Sequence, residues 1–323
     1  MAAYGLVGDL GGTNARFALV GEMGGRPEPC GIKAYAAKDY ASPEDAIEAY
    51  LKDVGAERPT RVVLAVAGPI TNGAMHFTNL DWEVSEARLT SVGGFKAARL
   101  LNDFAAQALG APRLDRENLR VLGPDLERTG QGTMVILGPG TGFGVAGLVR
   151  QGDVETVLST EGGHVGFAPA DDFEIEIWRR FIRSRDRISI ERILSGSGLH
   201  ELYQAIADIE GAEAPLPDAR AVQAAAESGD ALPARTVDRF CRILGGVAGD
   251  FALGFGARGG VYVTGGVAEK LANELAQGGF RERFEAKGRF VDYMRAIPTW
   301  LVTDPYAPLI GAASQLAGLE TAG

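Results

Sequence analysis

Apolar positions along the chain fall into short runs cut off by glycine, and these alternate with longer stretches of helical spacing. The first run, Leu6-Val7-Gly8-Asp9-Leu10, stops at Gly11-Gly12-Thr13-Asn14, and a second, Ala15 to Leu19, begins at once. Apolar runs bounded by turn residues predict strand, tight turn, strand. A third strand is expected over 32–36. Ser42-Pro43-Glu44-Asp45 then reads as a helix start, with Ser42 as N-cap, Pro43 in the first turn and Asp45 closing an approximate capping box. Ala46, Ile47, Ala49, Tyr50 and Leu51 give that helix its apolar face. Arg61 to Ala67 is a nearly unbroken apolar run, as a buried strand requires. It stops at Gly68-Pro69, and the stretch to Asp81 reads as loop. A helix is expected from Ser85, and Leu100-Leu101 as a short buried strand running into Asn102-Asp103.

From Ala111-Pro112 to Gly132 the chain reads as a crossover. Thr133 to Leu137 is then a strand ending in Gly138-Pro139-Gly140-Thr141-Gly142, and Phe143 to Val149 is the next strand. Strand, glycine-threonine turn, strand thus occurs twice, a weak internal duplication. Val154 to Ser159 leads into Glu161-Gly162-Gly163-His164. Helical spacing dominates from Asp172 to about Arg258, the longest element running from Pro233 past Ala252, with Gly245, Gly246 and Gly249 weakening its middle. Gly260 to Thr264 is a strand ending in Gly265-Gly266. Thr299 to Val302 is a last short strand, and Pro308 to Leu319 a terminal helix expected to pack back on the first domain.

The glycine turns carry the first candidate chemistry. Gly11 and Gly12 can take positive φ, and their amides, with the Thr13 hydroxyl, make a donor-rich concavity suited to anionic oxygens. Asp9 lies beside it, where a carboxylate repels phosphate unless a cation intervenes. Together they suggest a magnesium nucleotide, although a plain hairpin with an incidental Asp has the same local spacing. Residues 137 to 144 read as a second phosphate clamp: Pro139 removes one donor, and Gly140, Thr141 and Gly142 offer three. Gly265-Gly266 is a third glycine turn, either a helix-start connection or a place where the backbone approaches a flat ring. No Gly-Lys pair occurs, so there is no Walker sequence. The GxGxxG at Gly142, Gly144 and Gly147 runs on into a strand and opens no helix, unlike a dinucleotide fingerprint.

Carboxylates and imidazoles supply the rest. Asp103 follows a buried strand, where ligands bind in α/β sheets. It could be a helix N-cap or a base that accepts a hydroxyl proton. Glu161 and His164 sit on a glycine turn, and Glu191 could be an ordinary exposed helix residue; both residue types accept well from paired sugar hydroxyls.

Composition narrows the classes. The 323-residue chain is long enough for two domains, and at 46% hydrophobic and 23% charged with a net charge of −10 it is ordinary for a soluble globular protein and a poor match to nucleic acid. Cys30 and Cys241 form no metal-knuckle spacing and no disulfide framework. Met1 to Gly5 lack the basic and apolar segments of a signal peptide, and no run approaches membrane-spanning length, so a cytoplasmic location without membrane attachment is expected.

With these pieces placed, the sequence resembles the bacterial glucokinases of the hexokinase–actin ATPase superfamily. The motifs are GDLGGTNARFAL (8–19), LNDFAAQALG (101–110), LGPGTGFGVAGLV (137–149), STEGGHVGFAP (159–169), ERILSGSGL (191–199) and GGVYVTGG (259–266), in this order nearly end to end. The resemblance implies an α/β, two-domain actin-like ATPase (ribonuclease H-like) fold with mixed sheets and an interdomain cleft. Residues 1–112 with a C-terminal helix over 305–323 would form the small domain, and 113–304 the large one. It implies transfer of the γ-phosphoryl of ATP to the 6-hydroxyl of D-glucose. ATP would be bound by Gly8, Asp9, Leu10, Gly11, Gly12, Thr13, Gly138, Gly140, Thr141, Gly142, Gly265 and Gly266. Asp9 would lie toward Mg²⁺ through water. Asp103 would be the catalytic base, and Asn102, Asp103, Glu161, His164 and Glu191 the sugar set. A homodimer is implied. Zinc is not expected, because no cysteine follows Glu161-Gly162-Gly163-His164 until Cys241. Gly166 stands where some relatives carry a larger polar residue. Rival readings are a kinase for mannose, fructose or an N-acetylhexosamine, a silent sugar sensor, and a non-sugar ATPase of the actin and heat-shock type.

Overall fold

The computed structural model describes residues 4–23, 26–77 and 80–319. Expectations that fall on residues 1–3, 78–79 and 320–323 lie outside the described residues. The chain divides into two compact units, Met1–Leu114 with Asp304–Gly323, and Asp115–Thr303.

The first unit opens with β1 (Gly5–Leu10), β2 (Asn14–Met23) and β3 (Arg26–Ala36), followed by α1 (Pro43–Val54). Helix α1 starts as the sequence predicts, with Ser42 accepting from the Asp45 amide. It ends at Gly55, whose φ of 62° suits a residue without Cβ. Next come β4 (Arg61–Val66), the short strands β5 (Ala74–His76) and β6 (Glu83–Ser85), α2 (Glu86–Ser91), β7 (Ala97–Asn102) and α3 (Asp103–Gly110). The expected loop after Gly68 therefore contains a small hairpin. β5 pairs antiparallel with β6, and a separate tight turn at Asn72-Gly73, with φ of 52° and 69°, leads into β5 and is closed by Thr71 and Ala74 bonding each other's backbones. Asn-Gly is the sequence signal for that tight turn.

The second unit begins with β8 (Leu119–Val121), a strand inside the expected crossover, then β9 (Gly132–Pro139), β10 (Phe143–Gln151) and β11 (Val154–Thr160). Helices α4 (Asp172–Phe181), α5 (Ile190–Ile193), α6 (Gly196–Glu210), α7 (Ala219–Glu227) and α8 (Ala231–Phe255) follow. After β12 (Gly260–Val263) come α9 (Gly266–Lys270), α10 (Ala272–Gln277), α11 (Phe280–Glu285), α12 (Val291–Arg295) and β13 (Thr299–Val302). The chain then returns to the first unit as α13 (Ala307–Ser314), shorter than the expected terminal helix. Both cysteines are free.

The two sheets share one plan. The first has the order β3-β2-β1-β4-β7 and the second β11-β10-β9-β12-β13-β8. In each, the first three strands are antiparallel neighbours and the next two join in parallel. The duplication glimpsed in the two hairpins thus extends over five strands. β8 is an antiparallel addition at the edge of the second sheet.

Each sheet is buried by helices. In the first unit Leu6, Leu10, Phe17 and Leu64 pack with Ile47 and Tyr50 of α1, while Val7, Ala18 and Val63 pack with Leu309, Ala312 and Leu316. Helices α3 and α13 approach backbone to backbone: a Cβ on Gly110 would lie 1.8 Å from the Ala307 carbonyl oxygen, and one on Gly311 would lie 1.9 Å from that of Ala106. In the second unit Leu137, Val145, Phe240, Leu244 and Phe284 belong to one large core. The glycines that weaken α8 by propensity have a packing reason. A Cβ on Gly245 would stand 2.0 Å from the Phe280 carbonyl oxygen, and one on Gly249 would stand 2.7 Å from that of Phe284, so α11 lies directly on α8.

Candidate active site

In the first unit the candidate residues gather at one edge of the sheet. Leu10 is paired with Val66, and Val66 with Asn102. The turn after β1 and the start of α3 after β7 therefore emerge at the same ends of parallel strands, two strand spacings or roughly 10 Å apart. Gly8 and Leu10 lie within β1 and are buried. Gly8 has to be small, because a Cβ there would meet Leu64 at 2.7 Å and Phe17 at 2.9 Å.

The turn itself differs from the sequence expectation. Neither Gly11 nor Gly12 takes a positive φ. The Gly11 amide donates to the Asn14 carbonyl at 2.9 Å, so closing the hairpin consumes one of the expected donors. The amides of Gly12 and Thr13 and the Thr13 hydroxyl have no partner among the described residues, and both residues are exposed. The free donor set is therefore smaller than the composition of the turn suggests.

Asp9 stands directly opposite Arg16 in the β1–β2 pair. Arg16 Nη1 donates to Asp9 Oδ2 at 3.1 Å. Burial pushes the Asp9 carboxyl above its ordinary range, and the Arg16 charge and hydrogen bond offset part of that rise. The cation that balances Asp9 within the chain is thus Arg16.

Asn102 is the N-cap of α3: its Oδ1 accepts from Phe104 N–H at 3.0 Å and from Ala105 N–H at 3.2 Å. Its Nδ2 donates to the Gly68 carbonyl at 3.4 Å. The capping role considered for Asp103 therefore falls to Asn102. Asp103 is the first residue of the helix, with Oδ1 accepting from Phe104 N–H at 2.9 Å.

In the second unit the glycine turn between β9 and β10 is shorter than expected, since the strand runs through Gly138 to Pro139. The Gly140 amide donates to the Gly142 carbonyl at 2.8 Å, leaving the amides of Thr141 and Gly142 of the three expected donors. The second and third turns touch. A Cβ on Gly138 would fall 1.7 Å from the Thr264 carbonyl oxygen, and one on Gly265 would fall 2.4 Å from that of Pro139. Gly265, at φ 99°, is also the N-cap of α9, as the helix-start reading requires. Gly266 is exposed, with open space where a Cβ would be.

Glu161, His164 and Glu191 converge on β10. The 162–164 turn is packed rather than flexible: a Cβ on Gly163 would sit 2.0 Å from the Phe143 carbonyl oxygen, and one on Gly162 would sit 2.8 Å from Val145 Cβ. His164 N–H donates to the Glu161 carbonyl at 3.0 Å, and Arg187 Nη2 donates to the His164 carbonyl at 2.6 Å. Residues 165–167 are tied to 188–190 through Ile190 N–H to Val165 O and Phe167 N–H to Ile188 O, both 2.9 Å. This brings α5 to the same place. Glu191 Oε2 accepts from Phe143 N–H at 2.9 Å, at the exit of the second glycine turn. Glu161 and His164 are exposed and Glu191 half-buried. Open space surrounds the Cβ position of Gly166. Arg16, Arg187 and the Phe143 amide were missed at the level of sequence. Only the first had a signal, its place opposite Asp9 in the hairpin.

Among the described residues no group of three or more His, Cys, Asp or Glu could hold a metal. None of their helices is long and apolar enough to cross a membrane.

Two mixed sheets of one plan, with glycine turns at strand ends and acids beside them, define the class: sugar kinases of the actin-like ATPase fold. The chain belongs to the glucokinase family, whose description it matches over residues 6–319. It is 54% identical to a glucokinase of Caulobacter sp. strain K31 over 96% of this chain and 94% of the relative, and 43% identical to one of Chromohalobacter salexigens over 99% of both. Among solved structures it resembles a glucokinase from an Antarctic psychrotroph, with a TM-score of 0.89, 36% identity and coverage of 97% and 98%. A glucokinase from Balamuthia mandrillaris shares the fold, with a TM-score of 0.77 at 20% identity over 98% of this chain and 94% of that one. The protein is an ATP-dependent hexose phosphotransferase.

Proposed function

We propose that the phosphoryl group passes from ATP to the 6-hydroxyl of D-glucose with Asp103 as general base. The 6-oxygen attacks the γ-phosphorus, the bond to the β-phosphate oxygen breaks, ADP leaves, and the hydroxyl proton goes to the Asp103 carboxylate. The observation that carries this assignment is the placement of Asp103 at the end of β7, on the strand edge that also bears the Gly11–Thr13 turn. Its bond to Phe104 N–H fixes the carboxylate at the start of α3. Phosphoryl transfer is mostly positioning and charge neutralisation, so a fixed base and preset donors are the parts a protein must supply.

The free amides of Gly12, Thr13, Thr141 and Gly142 and the Thr13 hydroxyl are the donors assigned to ATP phosphates, with Gly266 offering an open backbone for the nucleoside. Asn102, Glu161, His164 and Glu191 are assigned to the sugar hydroxyls. Mg²⁺ takes one or two carboxylates plus phosphate oxygens, and the single carboxylate of Asp9 fits that donor set. Bound there with the nucleotide, the ion would neutralise phosphate charge. The two compact units are read as the small and large domains of the fold. A homodimer is read from the family resemblance, and light scattering in solution tests it.

A coupled ADP-release assay over a panel of hexoses with a no-sugar control tests the reading. Glucose should give the highest kcat/KM and the control almost no ADP. A higher kcat/KM for mannose, fructose or an N-acetylhexosamine would reassign the acceptor.

A further inference from the structure

The second glycine turn belongs to the nucleotide by motif, yet one of its residues is built around a different side chain. A Cβ on Gly142 would lie 2.3 Å from Glu191 Oε2 and 3.2 Å from Glu191 Cδ. The same oxygen accepts from the amide of the next residue, Phe143, at 2.9 Å. Glu191 therefore rests in a notch formed by the missing side chain of Gly142 and the Phe143 amide. Gly140, two residues earlier in the same turn, has open space at its Cβ position. The turn thus holds one glycine that a carboxylate requires and one that no neighbour within the chain requires.

The notch holds the carboxylate through groups outside its own helix. α5 is only four residues long, and the 188–190 segment that leads into it is tied to 165–167, so the backbone alone leaves Glu191 several rotamers. The Phe143 amide selects one of them. It also occupies one carboxylate oxygen, Oε2, which leaves Oε1 as the principal acceptor for a ligand hydroxyl.

We propose that Gly142 is a positioning residue for the sugar, acting through Glu191, in addition to its place in the nucleotide turn. A sugar hydroxyl bonded to Glu191 and a phosphate bonded to the turn then share one hydrogen-bonded link, Glu191 to Phe143 N–H. The inference rests on the assignment of Glu191 to the sugar.

The test is glucose affinity measured by calorimetry with no nucleotide present, where a purely nucleotide-binding glycine has no effect. Gly142→Ala should weaken glucose binding about tenfold, because the Glu191 carboxylate has to leave its notch. Gly140→Ala, with open space at its Cβ position, should leave glucose affinity as it was. In a Glu191→Ala background the notch is empty, so adding Gly142→Ala should cost nothing further. Circular dichroism and thermal melts check that each variant is folded, and the cycle with Glu191→Ala removes any general effect of the added methyl. Glucose affinity unchanged in Gly142→Ala but reduced in Glu191→Ala would overturn the positioning role alone. Glucose affinity unchanged in Glu191→Ala would overturn the assignment of Glu191 to the sugar.

Discussion

Asp9 and Arg16 form a directly opposed cross-strand pair in the first hairpin, joined by a 3.1 Å bond from Arg16 Nη1 to Asp9 Oδ2. The acid is largely buried, with its side chain 16% exposed, and its carboxyl is pushed above the usual 3.8. An acid with a raised folded-state pKa holds its proton more tightly in the folded chain than in the unfolded one. Its contribution to stability therefore falls as pH rises from about the unfolded value through the raised one, and above that the ionised group is a net cost. Asp9→Asn, which can still accept from Arg16, should raise the melting temperature at pH 7 by about 1–3 °C, and the gain should disappear in acid. The same change should sharply raise the KM for MgATP while glucose binding is retained. Thermal melts at two pH values with ATP kinetics check both halves; a lower melting temperature at pH 7 would contradict the burial argument.

Removing the other partner gives the complementary result. In Arg16→Met the carboxyl loses the neighbour that holds its pKa down, so burial pushes it higher still. As pH is lowered, the KM for MgATP should then begin to rise at a higher pH than in the unmodified protein. Parallel pH profiles in the two proteins would show that Arg16 does not tune Asp9.

Two neighbouring glycines of α8 should respond in opposite directions to the same substitution. Alanine is favoured over glycine in a helix interior by about 0.5–1 kcal/mol. Gly246 has nothing nearer its Cβ position than Arg283 side-chain nitrogens at 4.0 Å, so Gly246→Ala should realise that gain. At Gly245 the Phe280 carbonyl oxygen stands at 2.0 Å, and Gly245→Ala should cost about 1–3 kcal/mol despite the better propensity. Denaturant midpoints of the two variants decide the matter, and equal signs would mean that α11 does not lie against α8 as described.

The strands were legible because glycine-bounded apolar runs leave few other readings. β13 falls at Thr299–Val302 as expected, and β1, β4 and β9 differ by a residue or two at their ends. The five-strand repeat was only half legible, since it lies in pairing between distant segments and not in any local pattern. β8 was missed because three residues at a sheet edge, Leu119-Arg120-Val121, carry no periodicity. The Asn72-Gly73 turn has a legible dipeptide signal, but the three-residue strands β5 and β6 beyond it are too short to show a period. At the candidate site, residue types were legible and their commitments were not. Whether Gly11 or Gly140 still has a free amide depends on how its turn closes. Whether Glu191 is a surface acid or a lodged one depends on Gly142, far away in sequence. The resemblance singled out Glu191 where local spacing did not, but its lodging against Gly142 and Phe143 is visible only in the structure.

Asn102 and Asp103 are adjacent and do separate work, and variants can tell that work apart. Asn102 Oδ1 holds two amides at the start of α3, so Asn102→Ala should cost about 1 kcal/mol of stability as a lost cap. Aspartate caps equally well but gives up the Nδ2 bond to the Gly68 carbonyl, so Asn102→Asp should recover only part of the stability that Asn102→Ala loses. It replaces the Nδ2 donor with an oxygen, so it should still lower glucose affinity if that donor serves the sugar. Asp103→Asn keeps an acceptor for Phe104 N–H and so leaves the helix start intact, but it cannot take a proton from the 6-hydroxyl. Its kcat should fall by about 10²–10⁴-fold, with the glucose dissociation constant changed much less. Turnover by the coupled assay and glucose binding by calorimetry, measured on the same preparations, separate the two roles. Near-normal turnover in Asp103→Asn would remove Asp103 as the base, and a large loss of glucose affinity with little loss of kcat would make it a binding residue instead.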